Sequence, residues 1–163
     1  MHRNEKSYQR MEFESKRGHM KVNRNGIEYF PHITSFYSHL KNKLLLKKFG
    51  SNGIVMFDMI ECYSHGTNGY FIEEDECLKE IICIDLDLTE NTYDEILSYL
   101  IDNKFLVRKQ CSRYGNVITS EKMQNDFAVV AKDRARKRRD RKYPVDKEIW
   151  LFSEDDYEWM NPI

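Results

Sequence analysis

Residues 88–119, LTENTYDEILSYLIDNKFLVRKQCSRYGNVIT, decide the fold. Within them Tyr93, Ile96, Leu97, Leu100 and Ile101 recur at spacings of three and four, which marks one apolar face of a helix. Thr92, followed three residues later by Glu95, reads as a capping box, and Asn103 reads as the stop. Phe105, Leu106 and Val107 continue into a strand, Tyr114-Gly115-Asn116 supplies a turn, and Val117 to Thr119 returns antiparallel. Helix, strand, turn and strand in this order are the second half of a winged helix, with the helix in the DNA-reading position. Yet that helix carries Glu90, Asp94, Glu95 and Asp102 and meets no basic residue before Lys104. In a major groove those carboxylates would face phosphates, so this helix is expected to offer a protein-binding surface instead of reading bases.

Toward the amino terminus the pattern continues. Residues 74–84 predict a helix with Cys77, Leu78, Ile81 and Ile82 as its stripe, preceded by a short strand at Tyr70-Phe71-Ile72. Residues 53–63, GIVMFDMIECY, are apolar around nearly the whole helical circumference, interrupted by Asp58 and Glu61, and belong at the centre of the core. Asn52 is their candidate cap, and Gly50 ends an earlier helix over Ser35–Phe49. The expected inner face of that earlier helix is Phe36, Leu40 and Leu44 with Tyr37 and Leu45 beside them. Lys41, Lys43, Lys47 and Lys48 crowd its last turns, where they suit the negative helix end and are candidate phosphate contacts. Before it, GIEYFPH is an extended aromatic segment held out of helix by Pro31 and expected to lie across the core.

Toward the carboxyl terminus Ser120 caps a further helix with Met123, Phe127, Val130 and Ala131 facing inward. Beyond Ala131 the apolar pattern gives way to KDRARKRRDRK, where Lys132, Arg134, Arg136, Lys137, Arg138, Arg139, Arg141 and Lys142 outnumber Asp133 and Asp140. A run of that density is a candidate polyanion-binding segment. The tail YPVDKEIWLFSEDDYEWMNPI mixes acids with Trp150, Phe152, Tyr157 and Trp159, a composition suited to docking on the domain or to capture by a partner. The expected organisation is a flexible basic arm (1–25), a winged-helix domain (26–131), a basic helical extension (132–142) and an acidic-aromatic tail (143–163). The fold class is mainly α with a small β-sheet: a winged helix-turn-helix with an additional N-terminal helix and a C-terminal helical extension.

The net charge of −1 conceals this segregation, because residues 54–103 contain thirteen acids and one base, whereas residues 104–142 contain thirteen bases and four acids. A polyanion meets such local patches and not their average. No apolar run approaches the roughly 20 residues that span a bilayer, and the polar first 25 residues do not resemble a signal peptide, so a cytoplasmic, reducing setting is expected. The four cysteines form no CxxC pair, and Cys62 and Cys83 are expected as buried free thiols. Contiguous acids point in different directions and give no convergent site, Cys62 with His65 is weak evidence for zinc, and His32 and His39 have no carboxylate evidently arranged with them. With no phosphate loop or nucleophile elbow either, no catalytic residue, metal or cofactor is expected.

The order of GIEYFPH, LLLKKFGSNGIVMFDMIECY, GTNGYFIEEDE, IDNKFLVRK and GNVITSEKMQNDFAVVAKDRARKRR resembles the amino-terminal domain of phage and mobile-element replisome organisers, a DnaD-like winged-helix family. The resemblance runs from about Gly26 to Arg139. It implies a non-enzymatic accessory role in DNA replication initiation, with the winged helix binding DNA or mediating self-association, and no catalytic residues. Longer members carry a second domain where this sequence has its acidic-aromatic tail. The expected DNA contacts are Lys109 and Arg113 of the wing with the lysines and arginines named above, with weak sequence preference. The alternative is a module whose acidic surface, with the tail aromatics, engages a replication or host protein or a second copy of the chain.

Overall fold

The computed structural model describes Phe30, residues 32–67, residues 69–137 (backbone alone from 131) and Leu151. The arm 1–25, the side chains of 132–137, residues 138–142 and the tail aromatics Trp150, Phe152, Tyr157 and Trp159 lie outside the described residues.

A 3₁₀ turn at Phe36–Ser38 leads into helix α1 (Leu40–His65), followed by β1 (Ile72–Glu73), α2 (Glu76–Leu86), α3 (Glu90–Asp102), β2 (Val107–Cys111), β3 (Gly115–Thr119) and α4 (Glu121–Lys137). The strands form one antiparallel sheet in the order β1-β3-β2, with Ile72 opposite Ile118 and Cys111 opposite Gly115. This is a winged helix-turn-helix with flanking helices. Among the described residues no helix is long and apolar enough to cross a membrane.

Helix α1 is two helices joined at Gly50, whose φ of 64° and ψ of −153° leave the helical region. A residue without Cβ adopts that conformation most readily, so the break falls where the sequence predicts a stop. After Gly50 the chain passes through the middle of the core, burying Ile54, Met56, Phe57 and Ile60. The segment before Gly50 departs from expectation. It starts at Leu40, not Ser35, and the 3₁₀ turn resets the helical phase, so Phe36 is buried while Leu40 (70 % exposed), Leu44 and Tyr37 face outward. Leu45 and the half-buried Phe49 supply the inner contacts, and Asn42 is buried by donating from Nδ2 to the Phe36 carbonyl at 2.6 Å.

Helix α2 is capped by Asp75, which accepts from the Leu78 amide at 2.8 Å, and buries Leu78, Ile81 and Ile82 while Cys77 is half-buried. Helix α3 starts earlier than the capping-box reading places it. Thr89 is the cap and accepts from the Thr92 amide at 3.2 Å, whereas Glu95 is exposed. The apolar spacing holds: Tyr93, Ile96, Leu97 and Leu100 are buried and Ile101 is half-buried, and Asn103 closes the helix through Nδ2 to the Tyr99 carbonyl. The hairpin is shifted. Strand β2 begins at Val107, and the turn is Ser112-Arg113-Tyr114, leaving Gly115 (φ 73°) as the first residue of β3. Of the predicted first strand only Ile72 pairs, continued by Glu73, because Tyr70 takes a left-handed conformation that turns the chain into the sheet.

Helix α4 is capped as predicted, with Ser120 Oγ accepting from the Met123 amide at 3.1 Å. Met123, Phe127 and Ala128 are buried, Val130 is half-buried, and Leu151 of the tail packs partly buried on the same core. Cys62, expected inside, is exposed, because it lies on the face of α1 opposite the Ile60 contacts; Cys83 is half-buried and Cys111 is buried.

Candidate nucleic-acid interface

The outward face of α3 carries Glu90, Asp94, Glu95 and Asp102, all exposed. They do not form a bare acidic surface, because α2 packs beside α3 and sends Lys79 across the gap. Lys79 Nζ donates to Asp94 at 2.9 Å and lies 3.6 Å from Glu90. The Asp94 hydrogen bond holds the Lys79 ammonium above its ordinary pKa. Beside this pair, Arg108 of β2 binds Glu74 through two parallel hydrogen bonds of 2.5 Å, a planar fork that ties the wing to the start of α2. Between them lies a groove of about 600 Å³ walled by Glu74, Glu76, Lys79, Asp94, Arg108 and Asn116. Helix α3 stands where a winged helix has its reading helix, and the rim of this groove beside it is acidic, with Lys79 and Arg108 already engaged.

The lysines of the first α1 segment divide into two sets. Lys41, Lys43, Lys47 and Lys48 are all exposed. Lys41 Nζ donates to the Asn103 carbonyl at 3.1 Å and sits 5.8 Å from the Phe105 ring, while Lys48 lies over the Phe49 and Tyr99 rings at 5.0 and 4.6 Å. Both therefore stand at the carboxyl end of α3, where cations are favoured by its partial negative charge. The sequence assigns them to their own helix end; tertiary packing gives them to another. Lys43 and Lys47, one helical turn apart, point to solvent from the same segment. On the wing, Arg113 is exposed at the hairpin tip with its guanidinium 5.5 Å from the Tyr114 ring, and Lys109 is half-buried on β2.

The backbone of α4 continues as one helix from the buried Met123 and Phe127 through Lys137, so the first four cationic positions of the basic run, Lys132, Arg134, Arg136 and Lys137, belong to the same helix. Residues 29–123, from the aromatic segment through the wing to the first turn of α4, match the family described as Lin1244/Lin1753-like, N-terminal. The chain belongs to that family. No curated protein and no solved structure matches it. Lin1244/Lin1753-like domains are DnaD-like, are typical of phage and mobile-element replication organiser proteins, and are non-catalytic.

Three features of this Lin1244/Lin1753-like domain escape a sequence reading. Gln124, which periodicity alone counts as a solvent-side residue of α4, is buried and donates from Nε2 to the Gly69 and Tyr70 carbonyls and to Thr119 Oγ1, at 2.7, 3.2 and 2.9 Å. It ties α4 to the turn before β1 and to the end of β3. His65, three residues after Cys62, does not pair with it: the ring is buried, bonded through Nδ1 to the Glu61 carbonyl at 2.8 Å, and stacked on Phe30 at 4.1 Å. Burial holds its pKa below the ordinary imidazole value. Finally, His32 does have carboxylates arranged with it. Its Nε2 is 3.5 Å from Asp58 Oδ1, and Glu61 lies beside them. The only hint in the sequence is that Asp58 and Glu61, three apart, interrupt an apolar helix on the same side.

Proposed function

We propose that this chain is a non-enzymatic, cytoplasmic DNA-binding accessory protein of phage or mobile-element replication initiation. It grips DNA through phosphates and has weak sequence preference. The observation that carries this reading is the continuity of α4, whose backbone joins the start of the basic run, as far as Lys137, to the winged-helix core. Ordering the helix before DNA arrives reduces the entropy lost when phosphates are bound. Lys132, Arg134, Arg136, Lys137, Arg138, Arg139, Arg141 and Lys142 supply the main contacts, and Lys109, Arg113, Lys43 and Lys47 add to them. Lys41 and Lys48 are already engaged at the end of α3 and contribute less.

Fluorescence anisotropy with unrelated duplexes across a salt series tests this. Affinities should agree within a few-fold between sequences, and log K should fall steeply with log salt, by about 0.9 per phosphate neutralised. Absence of binding at low salt, or an affinity unchanged when the five arginines 134, 136, 138, 139 and 141 are all alanine, refutes it.

A second reading rests on the acidic groove between α2, α3 and the wing. Its rim of Glu74, Glu76 and Asp94 over the buried Tyr93 and Leu97 suits a basic, partly apolar protein segment, from a replication or host protein or a second copy of the chain. Copurification from a nuclease-treated lysate, compared between the intact chain and Glu76→Lys, discriminates. A partner kept without nucleic acid and lost from the variant supports this groove, and one kept by both does not. Self-assembly is checked by mass across a wide concentration range.

A further inference from the structure

We propose that His32, Asp58 and Glu61 form a binding site for a divalent transition-metal ion of the zinc type, which clamps the segment before α1 onto the central helix. Their ligand atoms all lie within 4.8 Å of one another. Asp58 and Glu61 project from one face of α1, and His32 approaches from the chain ahead of the 3₁₀ turn, so two separate stretches converge on one point. The 3.5 Å between His32 Nε2 and Asp58 Oδ1 is long for a hydrogen bond. It fits two ligands on one ion, since tetrahedral ligands at zinc bond lengths stand roughly 3.3 Å apart.

A second observation points to a cation. Asp58 Oδ1 is shut off from solvent, and among the described residues, apart from the distant His32 Nε2, no donor reaches it. Glu61 is only 7 % exposed, and among the described residues no hydrogen bond supports its carboxylate. Burial raises the pKa of both carboxyls, as expected for acids packed without a full complement of partners. Lys122 faces Glu61, but its ammonium is bound to Asp126 at 2.8 Å. An ion held by these three groups would neutralise both carboxylates at once.

The open side of the cluster meets a cavity of about 250 Å³ lined by Phe30, His32, Phe36, His39 and Glu61. A water completing the coordination fits there. One imidazole with two carboxylates and no thiolate suits Zn²⁺, with Mn²⁺ and Fe²⁺ as competitors. The ion's role is structural and is independent of the DNA-binding reading. His32 is the only ligand outside α1, so ion binding fixes how the chain enters the domain.

The test uses the full chain stripped with a chelator, dialysed, and titrated with zinc chloride by calorimetry and thermal melting. The proposal expects a site of one-to-one stoichiometry with micromolar or tighter affinity, and a melting temperature that rises with zinc. Asp58→Asn keeps the shape and removes the charge, and His32→Gln changes a half-exposed side chain that the fold tolerates if Asp58→Asn does not. Either should weaken that site by more than the ~10- to 100-fold lost when a partner behind a ligand is removed. Cys62→Ser should leave it intact. Zinc binding that is equal in wild type and both variants, that disappears in Cys62→Ser, or that is absent below millimolar zinc overturns the proposal.

Discussion

Helices α3 and α4 each begin on a hydroxyl cap, Thr89 and Ser120, and each bury an apolar face, Tyr93 to Leu100 in one and Met123 to Phe127 in the other. They leave the core with opposite charge. Helix α3 presents Glu90, Asp94, Glu95 and Asp102, and α4 runs on into Lys132, Arg134, Arg136 and Lys137. The difference teaches that capping and burial establish a helix in the fold, while its outward residues are free to be set by what it meets. The helix in the reading position need not be the one that holds DNA.

That comparison breaks or sharpens under five changes. Truncating either buried face should cost the most: Leu100→Ala and Phe127→Ala are each expected to lower unfolding free energy by about 2–5 kcal/mol in urea titrations. Equal losses show that α4 is as much a part of the core as α3, and a negligible loss at Phe127 makes α4 a peripheral appendage. Replacing the five arginines 134, 136, 138, 139 and 141 by alanine should reduce DNA affinity by about 100-fold or more at low salt. Glu95→Gln with Asp102→Asn should change it less than about twofold, and a large gain from that pair would put α3 back at the DNA.

Removing either cap, by Thr89→Ala or Ser120→Ala, should cost about 1 kcal/mol of stability and leave DNA affinity per folded molecule unchanged. The smallest effect belongs to Lys79→Met. It leaves Asp94 and Glu90 without their cation, and its effect on DNA binding should stay under about twofold if, as proposed, the basic run and not the groove holds the duplex. If affinity instead falls with the five-arginine variant's magnitude, the two helices bind DNA together and the contrast drawn between them is wrong.

The order of elements was legible because helix and strand periods write themselves into neighbouring residues. The spacing of Tyr93, Ile96, Leu97 and Leu100 predicts the buried face of α3, and Ser120 and Gly50 mark a start and a break where the structure has them. The first segment of α1 misled because three residues of 3₁₀ geometry shift the phase of everything after them, turning Leu40 and Leu44 outward. Within the candidate site, the exposed charges were readable from composition, and their partners were not. Lys79 with Asp94 spans 15 residues, Arg108 with Glu74 spans 34, and Lys41 with Asn103 spans 62.

By itself, then, the sequence determined a helix-rich winged domain, its central apolar helix and the separation of acidic from basic stretches, since each is a property of residues within a few turns of one another. Only the tertiary structure decided which charges neutralise each other across the α2–α3 groove, which lysines stand at the end of α3, that Gln124 is buried, and that His32 meets Asp58 and Glu61. Those outcomes depend on how helices of fixed local pattern are set against one another, and the angle and offset of that packing come from the whole core and not from any one stretch of it.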